Sequence, residues 1–273
     1  MRVQSLRTRL TRLRTFVREA SSFKDIPVLA IAAVARDNPF GHDGTWSSTL
    51  GRCFGVVKVR THATAGELAL IDTHDLGHLI SCEELLIEKT YDLSLVPFQP
   101  DVIADCGSHI GLFSLIAGLH YPRARLIAYE PDPSNFRVAE RQLARFATRL
   151  RLVEAAVSTV KGEAWFSRSD SNSGHFSSSD IDRQLLVQTI DLAADLTQWR
   201  AERLLLKMDI EGAERRVLPK LVSHFPKQCA LFLESHGGKE GWNELSSLLS
   251  KAGFQVSTTR ERGLFVDGFA LRV

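Results

Sequence analysis

Short apolar runs alternate with amphipathic stretches along the chain from residue 101 onward. The runs have the length of buried strands, whereas the stretches between them repeat apolar side chains at helical spacing. The predicted strands are 101–105, 125–130, 151–156, 204–209, 230–234, 254–257 and 264–271, and the predicted helices are 111–120, 134–147, 213–224 and 241–252. This alternation predicts an α/β fold, in which helices cover both faces of a mostly parallel sheet.

The segment before this core follows a different pattern. Residues 56–61 alternate apolar and polar side chains and residues 68–71 are apolar, which predicts a β-hairpin or a pair of short strands. We therefore divide the chain into an N-terminal helical extension with a loop over 1–55 and one domain over 56–273, whose core begins near residue 100.

The N-terminal extension is strongly basic. Residues 1–18 repeat apolar side chains at helical spacing among arginines, and no acidic residue precedes Glu19. Such an amphipathic helix could lie on an anionic membrane surface or on a partner protein, and it also resembles a transit peptide in composition. A helix that docks on its own domain, with its arginines in water, explains the pattern equally well.

Three motifs follow predicted strands of the core. They are Asp105-Cys106-Gly107-Ser108-His109-Ile110-Gly111, Tyr129-Glu130-Pro131 and Lys207-Met208-Asp209-Ile210-Glu211-Gly212-Ala213-Glu214. Gly107 and Gly111 suit a tight turn where a ligand approaches the backbone without a Cβ in the way. The helix start that follows offers free N–H groups and the positive end of the helix dipole. Because ligands of such sheets bind beyond the carboxyl ends of the strands, the motifs predict one site.

The second motif indicates an adenosine-containing cofactor, because Glu130 lies close to the spacing at which an acid takes ribose hydroxyls. NAD and S-adenosylmethionine both contain adenosine. NAD sites usually carry G-x-G-x-x-G, whereas the spacing here is Asp105-x-Gly107-x-x-x-Gly111. A carboxylate at Asp105 would oppose a pyrophosphate but suits an ammonium group. The long segment before the core is also atypical of dehydrogenases, so the pattern favours S-adenosylmethionine.

The chain resembles the FkbM-type methyltransferases over residues 56–258. The resemblance rests on the three motifs and on Thr90-Tyr91-Asp92-Leu93, Thr189-Ile190-Asp191-Leu192 and Leu233-Glu234-Ser235-His236. It implies a Rossmann-like seven-stranded methyltransferase sheet, mostly parallel with the last strand antiparallel, and S-adenosylmethionine as cofactor. Ser108 and His109 stand where the family commonly has Ala and Asn.

Nine residues are predicted to bind the cofactor. They are Tyr91, Asp105, Gly107, Ser108, His109, Gly111, Glu130, Pro131 and Ala155. Gly107 and Gly111 would shape the turn around the methionine part, and Asp105 would face its ammonium group, directly or through water. Glu130 would accept both ribose hydroxyls, as the resemblance also implies, and adenine would lie near residues 154–156.

Three residues are predicted to be catalytic. Methyl transfer to a hydroxyl requires the acceptor oxygen to lose its proton, so a general base near the methyl group would help. Asp209 ends the fourth core strand, and Glu234 and His236 alternate at the end of the fifth, so both could point the same way. Lys207 is predicted to form an ion pair with a neighbouring acid. Although Asp209, Glu211 and Glu234 could offer oxygens to Mg²⁺, nothing in their spacing demands it, and we predict no metal.

Composition narrows the remaining function classes. The 273 residues are 44% hydrophobic and carry a formal net charge of +2, which gives no support for a nucleic-acid partner. The four cysteines form no C-x-x-C pair, and no apolar stretch reaches the roughly 18 residues of a membrane span. We predict a reduced, cytoplasmic chain without structural zinc.

These observations predict an S-adenosylmethionine-dependent methyltransferase that acts on a hydroxyl of a sugar, a glycan or a polyketide-type small molecule. Methylation of a nitrogen atom in place of a hydroxyl is a variant of the same prediction. The alternatives are an NAD-dependent oxidoreductase and a catalytically inactive cofactor-binding scaffold. The serine-rich stretch 167–180 fits a disordered linker or a mobile loop over the site equally well.

Overall fold

The computed structural model describes residues 56–60, 68–72, 76–82, 84–85, 88–167 and 184–273. The chain divides into two compact units, Met1–Thr90 with Asp170–Ser173, and Tyr91–Ser169 with Gly174–Val273. The predicted N-terminal extension over 1–55 and residues 168–180 of the serine-rich stretch lie outside the described residues.

The described part of the first unit contains a hairpin and a short helix. Strand β1 (Val56–Arg60) pairs antiparallel with β2 (Leu68–Asp72). Helix α1 (Leu76–Cys82) follows and packs on β2. The strand pair predicted for this part of the sequence is therefore confirmed.

The second unit alternates strands and helices. Its strands are β3 (Val102–Cys106), β4 (Arg125–Tyr129), β5 (Leu150–Val153), β6 (Ala156–Ser158), β7 (Gly162–Ser167), β8 (Gln184–Asp191), β9 (Arg203–Met208), β10 (Gln228–Ser235), β11 (Gln255–Arg262) and β12 (Phe265–Arg272). Its α-helices are α2 (Leu112–His120), α3 (Pro133–Leu143), α4 (Leu192–Trp199), α5 (Glu214–Leu221) and α6 (Gly238–Lys251). Among the helices described in either unit, none is long and apolar enough to cross a membrane.

Seven strands form one sheet in the order β11-β12-β10-β9-β3-β4-β5. β3, β4, β5, β9 and β10 run parallel, and β12 runs antiparallel to both β10 and β11. The predicted Rossmann-like seven-stranded sheet with an antiparallel last strand is therefore confirmed. The chain runs outward from β3 to β5 and returns at β9 on the other side of β3. Sheets of this kind bind ligands at such a reversal, beyond the carboxyl ends of the strands.

The two faces of β3 differ in chemistry. Every second residue of β3, beginning at Val102, belongs to an apolar core shared with α4, α5 and α6. On the α2 side, Asp105 accepts a hydrogen bond from Ser114, and Lys207 of β9 lies directly opposite Asp105. Burying a charged side chain is costly unless it is paired. The buried pair of Asp105 and Lys207 therefore indicates a functional site on the α2 side of the sheet.

A second, three-stranded sheet was not predicted from the sequence. In the order β6-β8-β7, β8 runs parallel to β6 and antiparallel to β7. The strand predicted over 151–156 ends at Val153, and a separate strand begins at Ala156. Trp165 and Leu186 lie opposite each other and are 57% and 48% exposed. Apolar side chains on a solvated face obscure the alternation that identifies a strand.

Candidate active site

The glycine turn after β3 packs on the backbone of the neighbouring strand. Gly107 has a φ of +79°, and a Cβ at this position would lie 1.9 Å from the carbonyl oxygen of Asp209. The N–H groups of Gly107 and Ser108 both donate to the carbonyl oxygen of Tyr129. Gly111, with a φ of +77°, is the N-cap of α2. The shape of the turn therefore depends on its close approach to β4 and β9.

Glu130 closes one side of this turn. Its two carboxylate oxygens accept hydrogen bonds from the N–H groups of His109, at 2.7 Å, and Asp132, at 2.9 Å. Burial raises the pKa of Glu130 to about 7, although the two N–H groups act in the opposite direction. Each oxygen has a further lone pair, so ionised Glu130 can still accept hydrogen bonds from ribose hydroxyls. His109 adopts a φ of +51°, a conformation that His tolerates better than most residues.

Asp105 lies beneath the turn and not on its surface. The residue has no exposed surface, accepts a hydrogen bond from Ser114 at 2.7 Å and lies 3.4 Å from the Lys207 ammonium. Burial raises the pKa of Asp105, although Lys207 and Ser114 oppose the shift. In this conformation Asp105 presents no exposed surface to a cofactor ammonium, and its neighbours are Ser114 and Lys207.

The remaining predicted cofactor residues lie along the same edge of the sheet. Pro131 follows Glu130, and buried Ala155 lies in the link between β5 and β6. Ser108 is also buried, and its hydroxyl has no hydrogen-bond partner among the described residues. The glycine turn itself is required by packing within the protein, whereas the unpartnered buried hydroxyl is a group whose hydrogen bond a bound ligand would complete. These residues fit a bound S-adenosylmethionine.

Asp209 follows β9 on the other side of the glycine turn. Its Oδ2 atom accepts a hydrogen bond from the Tyr91 hydroxyl at 3.3 Å and lies 3.5 Å from Nζ of Lys207. The side chain of Asp209 is 25% exposed, against 17% for Glu211 and 12% for Glu234. Tyr91, predicted as a cofactor residue, thus lies against the carboxylate that was predicted as a base.

His236 is enclosed by four carboxylates. Its Nδ1 lies 3.2 Å from Glu214, and its Nε2 lies 3.0 Å from Glu211, 3.8 Å from Asp209 and 3.9 Å from Glu234. Burial disfavours the charged ring, but hydrogen bonds to Glu211 and Glu214 and the surrounding negative charges raise the pKa of His236 to about 12. The ring is therefore an imidazolium at neutral pH, with both nitrogens protonated.

Glu214 holds the turn that presents Glu211 to this imidazolium. One oxygen of buried Glu214 accepts hydrogen bonds from the N–H groups of Ile210, at 2.9 Å, and Gly212, at 3.2 Å. Glu211 has a φ of +54° within the same turn. Glu214 therefore acts on the shape of the site rather than on a reacting group.

Two residues near Glu234 were missed by reasoning from the sequence. Glu234 of β10 lies opposite Asp267 of β12, and Arg262 lies 3.4 Å from the first and 3.2 Å from the second. Burial and neighbouring carboxylates raise the pKa of Glu234 well above its ordinary value, although Arg262 opposes the shift. Glu234 therefore carries a proton at neutral pH. Asp267 interrupts the apolar run 265–270, and a charge inside a buried strand signals a partner.

The three predicted catalytic residues come together in the structure. One ligand atom each from Asp209, Glu234 and His236 lies within 4.8 Å of the others, so these residues could also hold a metal ion. His236 would first have to lose a proton, because only a neutral imidazole coordinates a metal. That the protein works without a metal stays a prediction.

The sequence is similar to known methyltransferases and to part of a larger enzyme. It is 27% identical to the 31-O-demethyl-FK506 methyltransferase FkbM of Streptomyces tacrolimicus, over 63% of this chain and 80% of that protein. It is 26% identical to the AMB antimetabolite synthetase AmbE of Pseudomonas aeruginosa, over 66% of this chain but only 11% of that protein. A solved methyltransferase FkbM from Methylobacillus flagellatus aligns with 97% of this chain and 59% of its own, at 15% identity and a TM-score of 0.45.

The family model for the methyltransferase FkbM domain matches residues 105–256, which is more than half of the chain. The matched range includes the glycine turn, Glu130 and the carboxylates around His236. S-adenosylmethionine is the methyl donor of this family. The chain therefore belongs to the FkbM methyltransferase family, and S-adenosylmethionine is its cofactor.

Proposed function

We propose that the protein transfers the methyl group of S-adenosylmethionine to a hydroxyl of a sugar, a glycan or a polyketide-type small molecule, with Asp209 as the general base. The observation that carries this proposal is the position of Asp209. It is the most exposed of the four carboxylates around His236, and its backbone is in contact with the glycine turn.

Position favours Asp209 because a general base must lie within hydrogen-bond reach of the proton it removes. Gly107 approaches the Asp209 carbonyl so closely that no side chain fits between them. A methionine part held by the turn would therefore lie near this carboxylate. Tyr91 and Lys207 both contact Oδ2 of Asp209, whereas Oδ1 faces His236.

Protonation separates Asp209 from the other two candidates. His236 is an imidazolium at neutral pH because Glu211 and Glu214 hold its protons, so it has no free lone pair for a substrate proton. Glu234 is protonated because burial raises its pKa. We assign His236 the role of a fixed positive charge that holds the carboxylates of the cluster in place.

Some residues of the site bind the cofactor, and another removes the proton of the acceptor. Bound S-adenosylmethionine supplies an electrophilic methyl group. Gly107 and Gly111 would shape the turn for its methionine part, and Glu130 would accept hydrogen bonds from its ribose. Asp209 orients the acceptor hydroxyl and takes its proton. Much of the rate enhancement in such a displacement comes from positioning the two partners.

Two observations support a hydroxyl acceptor without negative charge. The Streptomyces tacrolimicus relative is named as a methyltransferase of 31-O-demethyl-FK506, which is an oxygen acceptor. The Asp209 carboxylate, which would face the acceptor, disfavours a phosphate or carboxylate placed beside it, because like charges next to each other cost several kcal/mol. We therefore favour neutral polyols, sugars and polyketides, with an amine acceptor as the second candidate.

The proposal extends to the setting of the enzyme. From composition we infer a cytoplasmic protein that has no nucleic-acid partner. We infer from the arginine-rich pattern of residues 1–18 a contact with an anionic membrane surface or a partner protein. Sedimentation of the full chain with anionic and with neutral vesicles tests the membrane contact: equal recovery from both would contradict it.

The experiment that tests the assigned base compares Asp209→Asn with the wild-type protein. Transfer of a labelled methyl group to a panel of neutral sugars, glycans and polyketides gives kcat, and calorimetry gives the Kd for S-adenosylmethionine. We expect kcat to fall about 10²- to 10⁴-fold, with the Kd changed less than about threefold. Glu163→Gln, a matched acid-to-amide change on exposed β7, should alter neither quantity.

The outcomes separate the alternatives. An unchanged kcat in Asp209→Asn would remove Asp209 from the mechanism. Because the chain belongs to the FkbM family, we reject the alternative of an NAD-dependent oxidoreductase. A catalytically inactive scaffold would bind S-adenosylmethionine but methylate no acceptor in the panel.

A further inference from the structure

We propose that Lys207 is a positioning residue that joins the cofactor turn to the catalytic carboxylate, so that the turn and Asp209 keep one fixed spacing. The part of this inference that concerns Asp209 rests on the proposed function. The part that concerns the glycine turn does not, and cofactor binding alone tests it.

Lys207 contacts four groups of the site. Its ammonium donates a hydrogen bond to the carbonyl oxygen of Gly107. It also lies 3.4 Å from Oδ1 of Asp105 and 3.5 Å from Oδ2 of Asp209. The ammonium nitrogen lies 5.7 Å from the centre of the Tyr91 ring, within the range of a cation–π contact. A single cation therefore touches both the turn and the carboxylate.

The sheet register places Lys207 at this junction. Lys207 lies directly opposite Asp105, on the two adjacent strands where the strand order reverses. Asp209 is two residues further along, and its N–H continues the strand ladder by donating to the carbonyl of Cys106. Residues two apart on an extended strand share a face, so Lys207 and Asp209 are brought to the same side.

The environment keeps Lys207 charged. Its side chain is only 6% exposed, and such burial alone would favour the neutral amine. The carboxylates of Asp105 and Asp209 outweigh burial and raise the pKa of Lys207 above its ordinary value. Because Asp105 has no exposed surface, it serves Lys207 as a buried counter-ion, whereas Asp209 remains open to an acceptor.

Two roles of Lys207 must be separated experimentally. Lys207 could merely neutralise Asp105, or it could also position Gly107 and Asp209. Removing one member of a buried ion pair destabilises a protein strongly, whereas replacing both charges is often tolerated. The double variant Asp105→Asn/Lys207→Met therefore removes the charge problem but leaves the Gly107 carbonyl and Asp209 without their ammonium.

The test measures melting temperature, the Kd for S-adenosylmethionine and kcat for Asp105→Asn, Lys207→Met and the double variant. We expect Lys207→Met to lose thermal stability and the double variant to regain most of it. The double variant should still bind S-adenosylmethionine about tenfold more weakly, the effect of losing one charge-assisted hydrogen bond. Its kcat should fall further, by about tenfold or more. Lys251→Met, on the exposed end of α6, is the matched lysine control.

Lys207→Arg keeps the inference testable if the methionine variants do not fold. It keeps a cation beside Asp105 but replaces the compact ammonium with a larger planar guanidinium, so the Kd for S-adenosylmethionine should rise and kcat should fall, each by about tenfold. Wild-type affinity and kcat in Lys207→Arg, or wild-type affinity in the double variant, would overturn the inference. If Asp209→Asn kept full activity while the double variant lost cofactor affinity, the assigned base would be wrong and the role of Lys207 at the turn would stand.

Discussion

The two halves of the active site are built in different ways. The cofactor half is shaped by backbone: Gly107 lies against the Asp209 carbonyl, and the carboxylate of Glu130 is held by two N–H groups. The acceptor half is shaped by charge, since His236 lies among four carboxylates and Glu234 shares Arg262 with a further acid. Lys207 touches both halves.

Each half therefore tolerates a different kind of change. The glycine turn is held by close backbone contacts, so a Cβ added at Gly107 should displace it. A charged cluster depends on which of its members hold protons, so its behaviour changes with pH. The cofactor half should therefore fail by steric change, and the acceptor half by loss of charge.

The largest effect is expected from Gly107→Ala in the cofactor half. The new Cβ would lie 1.9 Å from the Asp209 carbonyl oxygen at a φ of +79°, so the turn has to move. A misplacement of about 1 Å costs roughly 100-fold in rate at a positioned site, and we expect the affinity for S-adenosylmethionine to fall by a similar factor because its binding turn is displaced. Gly162→Ala is the matched control, because the nearest atom to its Cβ lies 3.9 Å away. Equal affinities of the two variants would contradict the steric account.

The next effect is on stability and belongs to the acceptor half. His236→Asn leaves buried carboxylates without their cation, and we expect the free energy of unfolding to fall by about 3 kcal/mol. The pKa of His236 is raised from 6.5 to about 12 in the folded protein. Its stabilisation is therefore fully present below pH 6.5 and is lost as the pH rises toward 12. Urea unfolding at several pH values should show the gap between wild type and variant shrinking above pH 6.5, while exposed His224→Asn shows no gap.

A smaller effect concerns Glu130 and brings charge into the cofactor half. Burial raises the pKa of Glu130 to about 7, and only the ionised carboxylate has every oxygen free to accept ribose hydroxyls. Affinity for S-adenosylmethionine should therefore fall by about tenfold for each pH unit below 7. Calorimetry in buffers of different ionisation enthalpy should detect a proton released on binding near pH 7. In Glu130→Gln the affinity should be weaker and independent of pH over this range; a pH dependence that survives there would assign the proton to another group.

The smallest effect is expected from Ser108→Ala. The Ser108 hydroxyl is buried without a hydrogen-bond partner among the described residues, so its removal should not reduce stability. Affinity for S-adenosylmethionine should fall by about two- to fivefold if the cofactor supplies the missing partner. A lower melting temperature with unchanged affinity would show that the hydroxyl serves the fold and not the ligand.

The same difference between the halves explains how much the sequence predicted. The cofactor half follows from local signals, because Gly107 and Glu130 each come directly after a strand that its apolar run reveals, and Gly111 directly precedes a helix. Parallel strands bring their carboxyl ends to one edge, so three local motifs were enough to predict one site. The sequence also predicted Asp209, Glu234 and His236, which the structure brings within 4.8 Å of one another.

What the sequence did not predict depends on register between distant strands. Arg262 and Asp267 reach Glu234 only through the pairing of β11 and β12 with β10, which no local pattern specifies. The positive charge of His236 likewise depends on Glu211, which lies 3.0 Å from its ring. The position of Glu211 depends on its own left-handed backbone conformation within the turn after β9. Asp105 was expected to face the cofactor, yet it is fully buried beneath the turn, because its partner Lys207 lies on a strand about a hundred residues later.

One half of the site is proposed to bind the cofactor and the other to remove the proton of the acceptor. Measuring two quantities on two variants tests this division. The quantities are the Kd for S-adenosylmethionine and the single-turnover methyl-transfer rate at saturating cofactor, with the best acceptor from the neutral hydroxyl panel. We predict that Glu130→Gln weakens binding about tenfold and keeps the rate, whereas Asp209→Asn keeps the binding and lowers the rate about 100-fold or more. If both quantities moved together in both variants, the separation of a cofactor half from an acceptor half would be wrong.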